Sequence, residues 1–292
     1  MSELAPSASD SVSGVETRAL TRVLSSGKEE PLMSESAGEG RLDAVQRELL
    51  LLAYNHGALK FGEFNLKSGR KSPFFFNAGM FGNGQAMETI SKAYATRIVQ
   101  SGIQYDVLFG PAYKGIPLVS CTAMALNRIY SHPAPFIYDR KEAKDHGEGG
   151  TIVGALNELK PKLVPGTTDQ YRPARVLVLD DVLTSGTAIR GNLKVLKELQ
   201  PDIEVAGMCV MLDRQERVSE DSNLAAAQQL ELDYSTKVMS VLTIGDMLLF
   251  LDELIASGEN LEASSTLQKA RNDLLEYRRV YGVTDELPTD VL

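Results

Sequence analysis

Cysteine is scarce in this chain and long apolar runs are missing. Cys121 and Cys209 are the only cysteines among 292 residues, and each lies inside an apolar stretch. This argues against a disulfide scaffold or a cysteine metal site, and for buried free thiols in a reducing, cytoplasmic compartment. The longest apolar candidate, 239–254, is broken by Asp246 and Asp252. Nothing therefore approaches the roughly 20 residues that cross a bilayer, and no membrane partner is expected. A surplus of positive charge is also lacking. The formal charge of −9 argues against a nucleic-acid partner. Neither a Gly-x-x-x-x-Gly-Lys-Ser/Thr phosphate loop nor a Gly-x-Gly-x-x-Gly dinucleotide fingerprint occurs, which weighs against a nucleotide triphosphatase and a dinucleotide enzyme. Internal repeats are absent too.

The hydrophobic fraction, 43%, supports a full-sized core. Residues 1–40 contribute little to it. They hold seven acidic and three basic side chains with few large apolar ones, and read as a disordered acidic tail. That tail is too acidic for a transit peptide and lacks the apolar stretch of a signal peptide. From residue 41 a helical pattern begins, with Leu42, Val45, Leu49 and Leu52 on one face. Strands are then expected at 106–109, 136–138, 176–179, 205–212 and 237–242. Helices are expected at 85–101, 115–128, 187–199, 223–234, 246–256 and 261–281. Strands alternating with helices imply an α/β fold with parallel pairing and right-handed crossovers. Residues 155–174 carry three prolines and a glycine and read as a loop insertion, neutral for chemistry.

The most informative stretch is 175–190, RVLVLDDVLTSGTAIR. Its apolar run reads as a strand buried on both faces of a parallel sheet. Asp180 and Asp181 then stand at its carboxyl end, where open α/β sheets bind ligands. The turn Thr184, Ser185, Gly186, Thr187 offers amides and hydroxyls at a helix start, which suits a phosphate. Acids for vicinal hydroxyls beside a phosphate cradle describe a sugar phosphate. The plainer alternative is a buried strand with an acidic turn and a capped helix.

Other segments carry charge in settings that fit an anion. Lys114 follows Tyr113 in the turn after the strand at 106–109; an exposed lysine without function is the alternative. Lys60, Lys67, Arg70 and Lys71 form a basic cluster in which Lys67, beside Gly69 and Pro73, fits an anion best. Segment 140–150 mixes Arg140, Lys141, Lys144 and His146 with acids and glycines. It resembles a lid that orders on an anion, although a solvated charge run would look the same. Arg214 ends the strand at 205–212 and could grip a carboxylate bidentately; a salt bridge to Asp213 or Glu216 is the alternative. Phe75 and Phe76 sit in an apolar run that reads as core strand.

The 175–190 stretch resembles the phosphoribosyl-pyrophosphate motif of the type I phosphoribosyltransferases. Four further blocks narrow the resemblance to the orotate phosphoribosyltransferases: 59–77 (LKFGEFNLKSGRKSPFFFN), 109–117 (FGPAYKGIP), 140–150 (RKEAKDHGEGG) and 212–217 (LDRQER). The similarity covers roughly 41–285, interrupted at the insertion.

The resemblance implies a type I phosphoribosyltransferase fold over 41–292: a five-stranded parallel core sheet, helices on both faces, and a small hood from about 41–80. It implies transfer of phosphoribosyl from 5-phosphoribosyl 1-pyrophosphate to orotate, yielding orotidine 5′-monophosphate and pyrophosphate in pyrimidine synthesis. The cofactor implied is Mg²⁺, held mainly through substrate oxygens with Asp180 and Asp181 nearby. The phosphoribosyl pyrophosphate site would comprise Lys67, Tyr113, Lys114, Arg140, Lys141, Lys144, His146 and the run Asp180, Asp181, Val182, Leu183, Thr184, Ser185, Gly186, Thr187, Ala188. Orotate would meet Phe75, Phe76, Thr184 and Arg214. Lys144, His146, Asp180 and Asp181 would carry the catalysis, with the 140–150 lid serving the partner's site in a homodimer. A monofunctional chain is expected, without a decarboxylase domain. The alternatives are a purine phosphoribosyltransferase and a ligand-sensing regulator of the same fold without turnover.

Overall fold

A computed structural model describes residues 41–66, 69–144, 150–184, 186–219, 221–257 and 261–283. The chain starts with α1 (Ala44–Asn55), fixed at its entry by a reciprocal cap. The Asp43 carboxylate accepts from the Gln46 amide, and the Gln46 side chain accepts from the Asp43 amide. Leu49, Leu50 and Ala53 are buried along its inner face, and Leu42 is buried just ahead of it. An antiparallel hairpin follows, β1 (Leu59–Asn65) and β2 (Lys71–Phe76), forming a two-stranded sheet of its own. Its first strand, with glycine inside and lysine and glutamate along it, gives no clear alternation and is not evident from the sequence.

Strands and α-helices follow the hairpin. These are α2 (Gly84–Ser101), β3 (Val107–Gly110), α3 (Gly115–Tyr130), β4 (Phe136–Lys144), β5 (Gly150–Gly154), β6 (Lys162–Leu163), β7 (Tyr171–Arg172), β8 (Arg175–Leu183) and α4 (Thr187–Leu199). After them come β9 (Glu204–Asp213), α5 (Ala226–Tyr234), β10 (Lys237–Thr243), α6 (Ile244–Ser257) and α7 (Leu261–Tyr281). Of these, β3, β4, β5, β8, β9 and β10 form the main sheet, in the spatial order β10-β9-β8-β3-β4-β5. The five expected strands pair in parallel, but a sixth, β5, adds antiparallel to β4. The sheet is therefore mixed rather than purely parallel. The physical reason is that β4 does not stop at 138: it runs on to Lys144, and the chain turns back as a β-arm along its own edge.

Two apolar layers hold the helices. On β8, Leu177 and Leu179 belong to the apolar layer that includes α1, α2, α3, α6 and α7, while Val176 and Val178 belong to the layer that includes α4 and α5. This period of two on a strand apolar at every position is the signature of a doubly covered sheet. Cys209 is buried in β9 and Cys121 lies on α3, both free thiols. No described helix is long and apolar enough to cross a membrane.

The insertion is more ordered than a loop. It holds a short 3-10 turn, Leu156–Leu159, and the β6–β7 hairpin. Leu159 is buried in the core. Arg172 grips Asp106 with two hydrogen bonds of 2.7 and 2.8 Å, and the Arg175 amide donates to the same carboxylate at 2.7 Å. These bonds hold the Asp106 carboxyl below the usual range, Arg172 being the main cause. Asp106 precedes β3, so the insertion is pinned at the amino edge of the sheet, opposite the strands' carboxyl ends. Replacing Arg172→Ala should cost about 1–3 kcal/mol, lowering Tm by several degrees, while kcat and both KM values stay within twofold. A loss of turnover at unchanged Tm would show that the insertion acts on the chemistry.

Candidate active site

Three segments converge at the carboxyl edge of the sheet. The first is the end of β8. The strand extends beyond Leu179, so Asp180 and Asp181 lie within it, Asp180 opposite Val210 and Leu183 opposite Asp213 of β9. Both acids are half-buried, and Val182 is partly buried. Leu183 is 1% exposed and packs in the core, so only its main chain can face a ligand. Thr184 and Thr187 are exposed. Gly186 adopts φ 72°, ψ 0° as the residue opening α4 and adds no capping side chain to the helix start. The left-handed backbone there favours glycine, and a Cβ would meet Arg190 and Leu230 at 3.1–3.2 Å.

The second segment is the turn between β3 and α3. Gly110 and Gly115 pack backbone to backbone: a Cβ on Gly110 would lie 2.2 Å from the Gly115 oxygen. That contact closes the turn and presents Tyr113, 67% exposed, and Lys114 to solvent. Lys114 Nζ reaches Asp181 Oδ2 at 2.6 Å, so two residues read as partners of one ligand are already paired. The buried Asp139 of β4 accepts the Ala112 amide, tying this turn to the strand that bears the charged arm. Arg140 is half-buried on the same strand. Lys141 and Lys144 belong to β4, with Lys144 opposite Gly150; their side chains are not described, nor is that of Ala188. Lys67, His146, Ser185 and the 1–40 tail lie outside the described residues.

The third segment surrounds Arg214, immediately after β9. The residue is 4% exposed, so its ion pair with Glu216, at 2.6 Å, is buried rather than superficial. Phe75 and Phe76 prove to face opposite ways, as neighbours on a strand must. Phe76 is buried against Phe81, whereas Phe75 is exposed beside Phe64. Of the two rings, only Phe75 is available to a ligand. The ring against the Arg214 guanidinium is that of Phe74, at 4.2 Å, which the sequence did not single out.

Tyr94 on α2 was likewise illegible, being one more apolar-face residue of a helix. It is fully buried, and its hydroxyl donates to the Asp180 carbonyl at 2.7 Å. Burial, reinforced by the charge of Asp181, pushes the Asp180 carboxyl up to about 6. The Asp181 amide, donating to Asp180 Oδ1 at 2.9 Å, opposes that shift.

A carboxyl whose pKa is raised by folding binds its proton more tightly in the folded state. The folded state is thus penalised as pH rises from the ordinary value of 3.8 to about 6, and fully above it. Asp180→Asn keeps an acceptor for the Asp181 amide and removes the charge. It should stabilise the protein at pH 8 by about 1–2 kcal/mol, a gain that shrinks as pH falls through 6 towards 4, while activity collapses. Melting curves across that range check it; a gain independent of pH would contradict the buried-charge account.

The comparisons with known proteins agree with this geometry. A family model for the phosphoribosyl transferase domain matches residues 77–242. The orotate phosphoribosyltransferase of Stutzerimonas stutzeri is 41% identical over 242 residues, covering 83% of this chain and 100% of the relative. That of Salmonella paratyphi A is 43% identical over 238 residues, covering 82% and 98%. Among solved structures, the orotate phosphoribosyltransferase of Francisella tularensis superposes with a TM-score of 0.62 at 33% identity, over 80% of this chain and 99% of that one. Identity at this level, across nearly the whole length of such relatives, has one consequence: this chain belongs to the orotate phosphoribosyltransferase family.

Proposed function

We propose that the chain transfers phosphoribosyl from 5-phosphoribosyl 1-pyrophosphate to a ring nitrogen of orotate, giving orotidine 5′-monophosphate and pyrophosphate. This is a step of pyrimidine synthesis, and the two free thiols suit a cytosolic setting. The observation that carries the reading is one sheet edge holding three devices side by side: the acid pair of β8, the glycine-opened turn into α4, and the Arg214 guanidinium after β9.

Each device answers a need of the reaction. The attacking nitrogen gives up its proton, which the departing pyrophosphate can take up, and forms its bond to the anomeric carbon as the bond to pyrophosphate breaks and the electron pair leaves with pyrophosphate. Amides and hydroxyls of 184–188 take the 5′-phosphate. Asp180 and Asp181 accept from the ribose hydroxyls and face the positive charge that develops on the sugar. Lys114 exchanges Asp181 for the pyrophosphate, joined by Lys67 and Tyr113 and by Arg140, Lys141, Lys144 and His146 of the arm. Arg214 takes the orotate carboxylate, with Phe75 and Thr184 against the ring. The β1–β2 hairpin acts as a hood over the base and keeps water away.

Among the described residues no three acidic, histidine or cysteine side chains converge as a metal cage. Two adjacent carboxylates nonetheless suit Mg²⁺, which binds through one or two carboxylates plus substrate phosphates and water. Asp180 and Asp181 would stand beside it, and the ion would neutralise part of the pyrophosphate charge.

With phosphoribosyl pyrophosphate and Mg²⁺ present, orotate should be consumed, and hypoxanthine and uracil should not. Turnover of hypoxanthine would identify a purine enzyme; binding of phosphoribosyl pyrophosphate with no turnover of any base would identify a sensor.

The arm is proposed to serve the partner's site in a symmetric dimer. Lys144→Ala and Asp181→Asn homodimers should each lose a hundredfold or more in kcat. Mixing them should restore activity, because hybrids, about half of random dimers, carry one doubly altered and one intact site. Recovery should approach roughly a quarter of the unaltered rate. No recovery after verified subunit exchange would place the arm over its own chain's site.

A further inference from the structure

Four groups, from β2, from α7 and from the segment after β9, hold the Arg214 guanidinium. Nε donates to Glu216 Oε1 at 2.6 Å, and Nη2 donates to Ser72 Oγ of β2 at 3.1 Å. The Phe74 ring covers one face at 4.2 Å. The remaining contact comes from α7, where the Tyr277 hydroxyl accepts from Arg214 Nη2 at 3.2 Å and donates to Glu216 Oε1 at 2.8 Å. Tyr277 thus closes a ring of three residues and joins both members of the ion pair. Its own ring is 5% exposed and meets Phe74 edge-on at 6.2 Å.

The charges in this cluster do not cancel. Glu216 also accepts from Arg70 Nη1 at 3.2 Å, so one buried carboxylate serves two guanidiniums. An additional anion brought against Arg214 meets net positive charge in a poorly solvated place, where charge-assisted bonds are strong. Burial raises the Tyr277 hydroxyl to about 12, so it stays protonated and keeps donating throughout the neutral range.

We infer that Tyr277 is a positioning residue that orients Arg214, so that the last helix, α7, sets the site's selectivity for a base bearing a carboxylate. This rests on the reading of Arg214 as the carboxylate anchor. Phe74 fixes the plane of the guanidinium, and Glu216, Ser72 and Tyr277 fix its rotation within that plane. Without the hydroxyl, Arg214 keeps its charge, its ion pair and the Ser72 bond but loses one of the two bonds that hold Nη2 against turning.

The test is Tyr277→Phe, which preserves the ring. KM for orotate should rise about tenfold, with KM for phosphoribosyl pyrophosphate within twofold of the parent. Neither KM depends on the fraction of protein that is folded, so partial unfolding does not imitate this result. Equal shifts in both KM values, or none, would overturn the inference. The same change in an Arg214→Lys background, which keeps a cation opposite Glu216, should add less than twofold to the orotate KM. A full additive effect there would show that Tyr277 acts independently of Arg214. If Arg214→Lys itself leaves the orotate KM unchanged while Tyr277→Phe raises it, the anchor assignment fails. If Arg214→Lys raises it and Tyr277→Phe does not, only the role of Tyr277 fails.

Discussion

Placing Asp180 and Asp181 side by side at the end of a buried strand costs free energy, and much of the surrounding structure moderates that cost. Charge at Asp180 is disfavoured by burial and by Asp181, which push its carboxyl up to about 6. The Asp181 amide, the Tyr94 hydroxyl on the adjoining carbonyl and the Lys114 ammonium gather around the pair. A stretch that violates local stability rules in this way is where function is expected, because the compensating partner is the ligand. In the proposed reading Lys114 stands in for that partner: its bond to Asp181 pairs a cation and an anion that a phosphorylated sugar would separate by offering each a better partner.

The Arg214 cluster solves a different problem. A guanidinium that recognises a carboxylate must be fixed in plane and rotation, or the ordering cost falls on binding. Here a stacked ring, a carboxylate and two hydroxyls supply that order, the carboxylate from Arg214's own segment and the rest from β2 and α7, far away in sequence. The β1–β2 hairpin and α7 are therefore more than a cover for the sheet, because they hold Arg214, the group proposed to choose the base. The insertion shows the converse. It is anchored by Arg172 to Asp106 at the amino edge, away from every group in these clusters.

Much of this was legible in the sequence because it rests on local pattern. The apolar run before Asp180 announces a doubly covered strand, and α4 and α7 fall where periodicity put them. Gly186 sits where a left-handed turn requires it. What was not legible depends on long-range pairing. The antiparallel β5 arises because β4 continues past Tyr138, and charged residues such as Lys141 and Lys144 give no strand signal of their own. Phe75 and Phe76 look equivalent as letters and separate only once the pleat assigns them to opposite faces. Tyr277 lies in the stripe Leu267, Ala270, Leu274, Tyr277, Tyr281, which reads as core packing. Its hydroxyl acquires a role only when α7 comes against β2 and the end of β9.

The central claim is that one sheet edge holds the phosphate at the 184–187 turn and the base carboxylate at Arg214. A crystal structure of the chain bound to orotidine 5′-monophosphate tests it most directly. The account predicts the phosphate against the amides opening α4, the ribose hydroxyls on Asp180 and Asp181, and the orotate carboxylate within hydrogen-bonding distance of the Arg214 guanidinium. A nucleotide seated with its carboxylate away from Arg214, or its phosphate away from that turn, would contradict it.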